Sequence, residues 1–349
     1  MKDYQKEFFI KLLNEPGPSG FEESIQNLWK EETSKFCPDI KRDVHNNLIA
    51  TLNPGKEKSI MIVGHSDEIG LIVNYINDKG FIYFKPIGGV DPSILSSQRV
   101  RIITKKGIIH GALGRISLHL EDKENRKLAK MHDVWIDIGA KDKKDAAKYV
   151  SVGDPIIFGS DYQDLQNNLA MARCFDNRVG IYVVAETLRK LSAIKNHLNH
   201  TIYGVSSSQE ESGVWGARHA AYSFKPTVCV AIDVMPCTDE PNIPKEKHGD
   251  TKVGEGPVIT RGVRTNNKIA DELIGIAKKR KIPYQVDVDY GRTGTDADPI
   301  SQVRGGIPIG VVSLPTRYLH SSVETLSLTD VDRTVELLTE YIMKTKMDL

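Results

Sequence analysis

An excess of charge of one sign is missing from this chain. Its 349 residues carry 47 lysines and arginines against 46 aspartates and glutamates, a formal net charge of +1. No run of like charge forms a basic tail, so the electrostatic footprint of a nucleic-acid-binding protein is absent. Aromatic residues make up only 7% and are scattered, which argues against a stacking platform for single strands. No stretch approaches the roughly 18 apolar residues of a membrane span. Cysteine is scarce. Cys37, Cys174, Cys229 and Cys237 form no C-x-x-C pair, and several lie in apolar runs. Buried free thiols in a reducing compartment are the expectation. Residues 1–13 mix Lys, Asp and Glu with Phe, Ile and Leu, an amphipathic helix pattern without the apolar core of a signal peptide. These absences predict a soluble cytoplasmic protein with no nucleic-acid or membrane partner.

What is present is 40% hydrophobic, enough for one large domain or two ordinary ones. Helical spacing over 4–13 is broken by Glu15-Pro16-Gly17-Pro18-Ser19-Gly20 and resumes over 22–36. Short strands are predicted at 40–44 and 47–52. The apolar run 59–64 is too short for a helix and suits a buried central strand. Between 71 and 158 the texture changes to short alternating segments (71–76, 81–87, 99–104, 108–113, 134–138 and 155–158) separated by Gly and Asp turns. After 161 helices and strands alternate: helix 178–191, strands 201–207 and 227–234 around helix 216–222, helix 267–280, strand 284–288, a short helix 299–303 and strand 310–314. A strong helix closes the chain over 330–346, with Thr329 as its expected N-cap. The predicted fold is α/β, a mostly parallel central sheet flanked by helices. It is formed by residues 1–70 and 160–349, with a small β-barrel or sandwich inserted over 71–159.

In open α/β sheets, ligands bind beyond the carboxyl ends of the strands. The polar residues just after each apolar run therefore carry the search. After 60–64 comes His65-Ser66-Asp67-Glu68. After 201–207 comes Ser208-Gln209-Glu210-Glu211. Asp233 follows 228–232, and His320 ends the segment after 310–314. Asp176 lies just before a helix. Taken singly each has an ordinary reading: a satisfied structural His, a helix cap, a solvated Glu pair. Delivered together to one sheet edge, they suit a pair of divalent cations, which accept imidazole nitrogen and carboxylate oxygen together. Two ions close together need a bridging carboxylate and can lower the pKa of a shared water. The Glu210-Glu211 doublet repels itself when buried, a conflict resolved if one is a ligand and the other a general base. Asp67, two residues after His65, is placed to accept its ring N–H. Thr293-Gly294-Thr295-Asp296-Ala297-Asp298 is either an ordinary capped turn or a wall of the site. Arg261, Arg264 and Arg292 are expected at the solvated surface, and the other histidines show no partner pattern.

The ordered pieces Pro18-Ser19-Gly20-Phe21-Glu22, Gly64-His65-Ser66-Asp67-Glu68, Phe175-Asp176-Asn177-Arg178-Val179-Gly180, Gln209-Glu210-Glu211-Ser212-Gly213, Ala231-Ile232-Asp233, Gly294-Thr295-Asp296-Ala297 and Arg317-Tyr318-Leu319-His320-Ser321 resemble the M42 family of metalloaminopeptidases. Some of its members carry an endoglucanase label. The resemblance implies two metal ions per subunit, zinc or cobalt. Asp176 would bridge them, His65 and Asp233 would complete one site, and Glu211 and His320 the other. Glu210 would be the general base acting on a bridging hydroxide, and Asp67 would orient His65. It also implies short peptide substrates, an inserted domain that mediates dimerisation, and assembly up to a twelve-subunit tetrahedron. Arg292 stands where the family tends to have small residues, and Ser322 where Pro is frequent. A metal-dependent amidohydrolase or deacylase of small metabolites on the same scaffold is the alternative. Glycoside hydrolysis needs no metal and fits poorly with the histidines.

Overall fold

The computed structural model describes residues 2–117, 119–120 and 130–348. Helices α1 (Asp3–Asn14) and α2 (Glu23–Ser34) lead into strands β1 (Ile40–Arg42), β2 (Leu48–Leu52) and β3 (Ser59–His65). A closed barrel follows, made of β4 (Gly70–Ile76), β5 (Ile82–Ile87), β6 (Arg99–Thr104), β7 (Gly107–Gly114), β8 (Trp135–Asp137) and β9 (Pro155–Phe158), with a short α3 (Lys143–Ala146). The chain returns through β10 (Gln163–Asp164), β11 (Leu169–Ala172) and the long α4 (Phe175–Ser192). Then come β12 (Thr201–Ser207), α5 (Gly216–Phe224), β13 (Val228–Pro236), α6 (Lys245–His248), β14 (Val258–Gly262) and α7 (Asn267–Arg280). The last elements are β15 (Gln285–Asp289), α8 (Ala297–Ile300), β16 (Ile309–Thr316), β17 (Glu324–Ser327) and α9 (Leu328–Lys344).

The main sheet has the order β1-β2-β12-β3-β13-β16-β14-β15. Its four central strands β12, β3, β13 and β16 run parallel, because each returns through a crossover. At the flanks β2 and β14 run antiparallel to their inner neighbours, so the sheet is mixed. The 59–64 run is the middle strand because it is apolar on both faces. Ile60 and Ile62 point into the larger core, under α1, α2, α4, α7 and α9, while Met61 and Val63 point into the smaller core under α5 and α8. Truncating one such side chain to Ala costs about 2–5 kcal/mol. The barrel has a third core of its own, including Leu71, Val100, Ile102, Ile136 and Ile156. In β6, Val100 and Ile102 face inward and Arg99 and Arg101 outward, the period-two pattern that marked it in the sequence.

Strands β10, β11 and β17 form a separate small sheet that the residue pattern does not announce. In β17, Glu324-Thr325-Leu326-Ser327, Leu326 is the only apolar residue, so no alternation shows. β14 was likewise hidden, its Val258 and Ile259 being followed by Thr, Arg and Gly. The last helix starts earlier than expected. Ser327, not Thr329, is its N-cap, with Oγ accepting from Thr329 N at 3.2 Å.

Candidate active site

Strand register brings the first residues together. β12 pairs with β3 so that Ser207 lies beside His65. β13 pairs Ala231 with Val63, which carries Asp233 level with His65. Helix α4 then presses onto the end of β3. A Cβ on Gly64 would fall 2.7 Å from the Gly180 carbonyl carbon, so this approach needs glycine. It delivers Asp176, in the first turn of α4, to the strand ends. His65 Nε2 lies 3.1 Å from Asp176 Oδ1 and 3.8 Å from Asp233 Oδ1. His320 Nε2 lies 3.3 Å from Asp176 Oδ2 and 3.7 Å from Glu211 Oε2. Two donor sets result: His65, Asp176 and Asp233, and Asp176, Glu211 and His320. Within each, the donor atoms lie within 4.8 Å of one another. Asp176 belongs to both and turns one oxygen toward each histidine. Glu210 stands outside both sets, with Oε2 3.8 Å from His65 Nε2.

A layer of buried groups holds these side chains. Asp67 is fully buried. Its Oδ1 accepts from Glu210 N at 3.1 Å and its Oδ2 from Glu211 N at 3.0 Å. Its carboxylate is 3.4 Å from His65 Nδ1, a looser contact than the 3.2 Å from that nitrogen to the Asp67 carbonyl oxygen. Asp67 therefore touches the Glu210-Glu211 doublet as well as the imidazole. Glu324, which the sequence reading passed over, accepts from Asp176 N at 2.9 Å and from His320 N at 3.1 Å. Asp296 is buried and accepts from Ser207 Oγ at 2.6 Å. Glu68, just past His65, takes Arg173 Nε at 2.8 Å and Arg178 Nη2 at 3.0 Å, an ion-pair group buried on all sides. His320 donates through Nδ1 to the Gly89 carbonyl at 3.0 Å, so a loop of the barrel closes one wall.

So many acids cannot all ionise in a dry site without compensation. Burial pushes Glu210 up to about 10, with Asp233 and Asp296 adding to it against His65. Burial and the Asp176 charge push Glu211 up to about 8. Asp176 resists burial and stays below the usual carboxylate range, because His320 and His65 both bond to it. The Asp176 contact lifts His320 to about 9. Glu211 Oε1 is buried with no hydrogen-bond partner. Two imidazoles and three carboxylates, one of them with an oxygen lacking a partner, form a donor set that fits two divalent cations.

The M42 glutamyl aminopeptidase family profile matches residues 46–337. The chain belongs to the M42 family of aminopeptidases. A protein of Acetivibrio thermocellus, named provisionally as an aminopeptidase, is 40% identical over 330 residues, 93% of this chain and 94% of its own. The crystal structure of a TET aminopeptidase from the archaeon Thaumarchaeota archaeon SCGC AB-539-E09 superposes with a TM-score of 0.93 at 32% identity, covering 98% of this chain and 96% of that one. The Pyrococcus horikoshii TET1 peptidase, which can assemble into a tetrahedron or a large octahedral shell, gives 0.86 at 32% identity, covering 96% and 98%. This M42 member is accordingly a peptide hydrolase.

A cavity of about 340 Å³ opens onto the M42 site, lined by His65 and Glu210 and walled by Asp287, Arg292, Thr293 and Leu319. The 293–298 loop thus walls the site. A larger groove, about 1260 Å³, runs between the barrel and α2 and touches none of the donor residues. The three arginines expected at the surface are there: Arg264 and Arg292 are exposed, and Arg261, partly exposed, pairs with Asp271 at 2.8 Å. From that exposed position Arg292 also borders the cavity at the donor residues and, with Arg264 and Arg218, an adjoining cavity of about 470 Å³. Among the described residues no helix is long and apolar enough to cross a membrane.

Proposed function

We propose that this M42 enzyme removes N-terminal residues from short peptides with a pair of divalent cations, zinc or cobalt by donor type. The observation that carries this reading is Asp176, one carboxylate shared by two donor sets. His65 and Asp233 would hold one ion with it, and Glu211 and His320 the other. When bound, such a pair acidifies a water and polarises the scissile carbonyl.

The chain's own residues supply the rest. Glu210, beside His65 but in neither donor set, takes the proton of the attacking water and returns it to the leaving amine, so water is added across the peptide bond. Asp67 grips the amides of both glutamates and so aims base and ligand separately. Glu324 fixes the backbone of Asp176 and His320 in the same way. The barrel, residues 71–159, serves as the dimerisation domain, and dimers assemble further, up to twelve subunits. Exposed Tyr75, Ile108, Tyr149 and Val152 on that domain support it. Four buried free cysteines fit a reducing cytoplasm.

Metal titration of the stripped protein, read out with a panel of aminoacyl-anilides and N-acyl amino acids, tests the proposal. Metal-dependent release of anilide is expected. Cleavage confined to N-acyl amino acids would turn the reading to a deacylase, and activity indifferent to chelator would end it.

A further inference from the structure

We propose that Glu22 is a positioning residue for the general base, an inference that rests on the role of Glu210 above. The loop after β12 has no helix or strand to satisfy its amides. Four consecutive N–H groups donate instead to side chains from elsewhere: Ser208 to Asn47 Oδ1 at 3.0 Å, Gln209 to Glu22 Oε1 at 3.0 Å, and Glu210 and Glu211 to Asp67 at 3.1 and 3.0 Å. Successive amides aimed at anions form a nest. Here the acceptors are the protein's own, the amide oxygen of Asn47 and the carboxyl groups of Glu22 and Asp67.

Gln209 sits at φ +56°, in the left-handed region, without being glycine. A residue stays there only when its surroundings over-determine it. Glu22 is 2% exposed, and its carboxylate meets Gln209 N and Gly20 N, the latter at 2.7 Å. Glu22 stands at the N-cap of α2, yet its side chain makes no capping bond to that helix. The ordinary reason for an acid at that position is thus missing. The segment around it is fastened to both functional loops. Ser19 N donates to Glu68 O and Glu68 N to Gly17 O, each at 3.1 Å, and Ser19 Oγ donates to Ser212 Oγ at 2.9 Å. The Pro18–Glu68 bridge completes the tie. The Pro18-Ser19-Gly20-Phe21-Glu22 piece therefore clamps the loop that carries Glu210 to the loop that follows His65, with Glu22 holding Gln209, whose backbone is left-handed just before the base.

The test compares Glu22→Ala, Glu22→Gln and the double variant Glu22→Ala/Gln209→Gly as metal-loaded enzymes. Amide exchange at 208–211 and anilide turnover are the readouts. Glu22→Ala is expected to exchange at Gln209 at least about tenfold faster and to lose about 10- to 100-fold in kcat, with KM little changed. Glu22→Gln keeps an acceptor for both amides and should stay near wild type. Gln209→Gly adopts positive φ at no steric cost and should restore kcat in the Ala background, which a merely structural fault of α2 would not allow. Wild-type exchange and turnover in Glu22→Ala would overturn the inference, as would a Gln variant as impaired as Ala, or no rescue by glycine. Should Glu22→Ala fail to fold, Glu22→Leu, which keeps side-chain volume, replaces it in the same comparison. If the wild type hydrolyses no anilide, the aminopeptidase reading fails separately, and exchange at 208–211 still decides the role of Glu22.

Discussion

Replacing Glu210 by Gln separates catalysis from metal binding in one step. The side chain keeps its shape and loses its ability to take a proton. Glu210 lies outside both donor sets, so no ligand is removed. All five donors stay in place, so cation content should hold. Loss of a general base costs about 10²–10⁴-fold in rate. At 1.36 kcal/mol per factor of ten, that is about 2.7–5.4 kcal/mol of transition-state stabilisation. The fall should appear in kcat and kcat/KM together, with KM unchanged, because the group acts on the reacting water and not on bound substrate. The assay is steady-state hydrolysis of an aminoacyl-anilide, alongside metal content by mass spectrometry. A Glu210→Gln enzyme that holds its cations and turns over like wild type would refute the assignment. One that loses cations in parallel with activity would make Glu210 a ligand.

Asp176→Ala removes the carboxylate common to both sets, so cation content should fall from about two per chain to near none, whereas Asp233→Ala should spare one. Equal stoichiometry in the two variants would contradict a shared ligand. Without cations His320 is raised to about 9, chiefly by its bond to Asp176, and burial raises Glu211 to about 8. Both hold protons near neutrality that a cation must displace, and His65 and Asp233 are raised as well, so affinity should rise with pH from neutrality through about 9. Calorimetry in buffers of different ionisation enthalpy should detect proton release, and proton uptake on binding would have the wrong sign. Glu68→Ala leaves the buried guanidinium groups of Arg173 and Arg178 without their carboxylate. Stripping one partner from such a group costs about 3–5 kcal/mol, readable as a lower midpoint in urea. An unchanged midpoint would show that the backbone carbonyls around Arg173 suffice.

His65, Asp233 and Glu211 were legible in the sequence for a single physical reason. Each follows a run apolar enough to be a central strand, and parallel register forces the ends of such strands to one edge. The barrel was legible because its strands alternate, as β6 does. Glu324 was not, and Glu22 and Asp296, though part of the recognised pieces, showed no role there; the three share a common cause. Each is a buried acid with at least one partner far along the chain: Glu324 meets Asp176 across 148 positions and Glu22 meets Gln209 across 187. No local period marks such a residue, and Glu324 sits in a strand too polar to be seen. The side chains able to hold cations are thus placed by strand register, which the apolar pattern exposes. The acids that hold them are placed by where backbone amides go once strands end, which only the folded chain settles. The loop between β12 and α5 joins the two: register brings it to the site, and its amides need carboxylates from α2 and from the end of β3 before Glu210 and Glu211 can point in different directions. A transplant of the strand-end residues alone onto a similar sheet should therefore bind cations and turn over poorly, until acids equivalent to Glu22 and Asp67 are added.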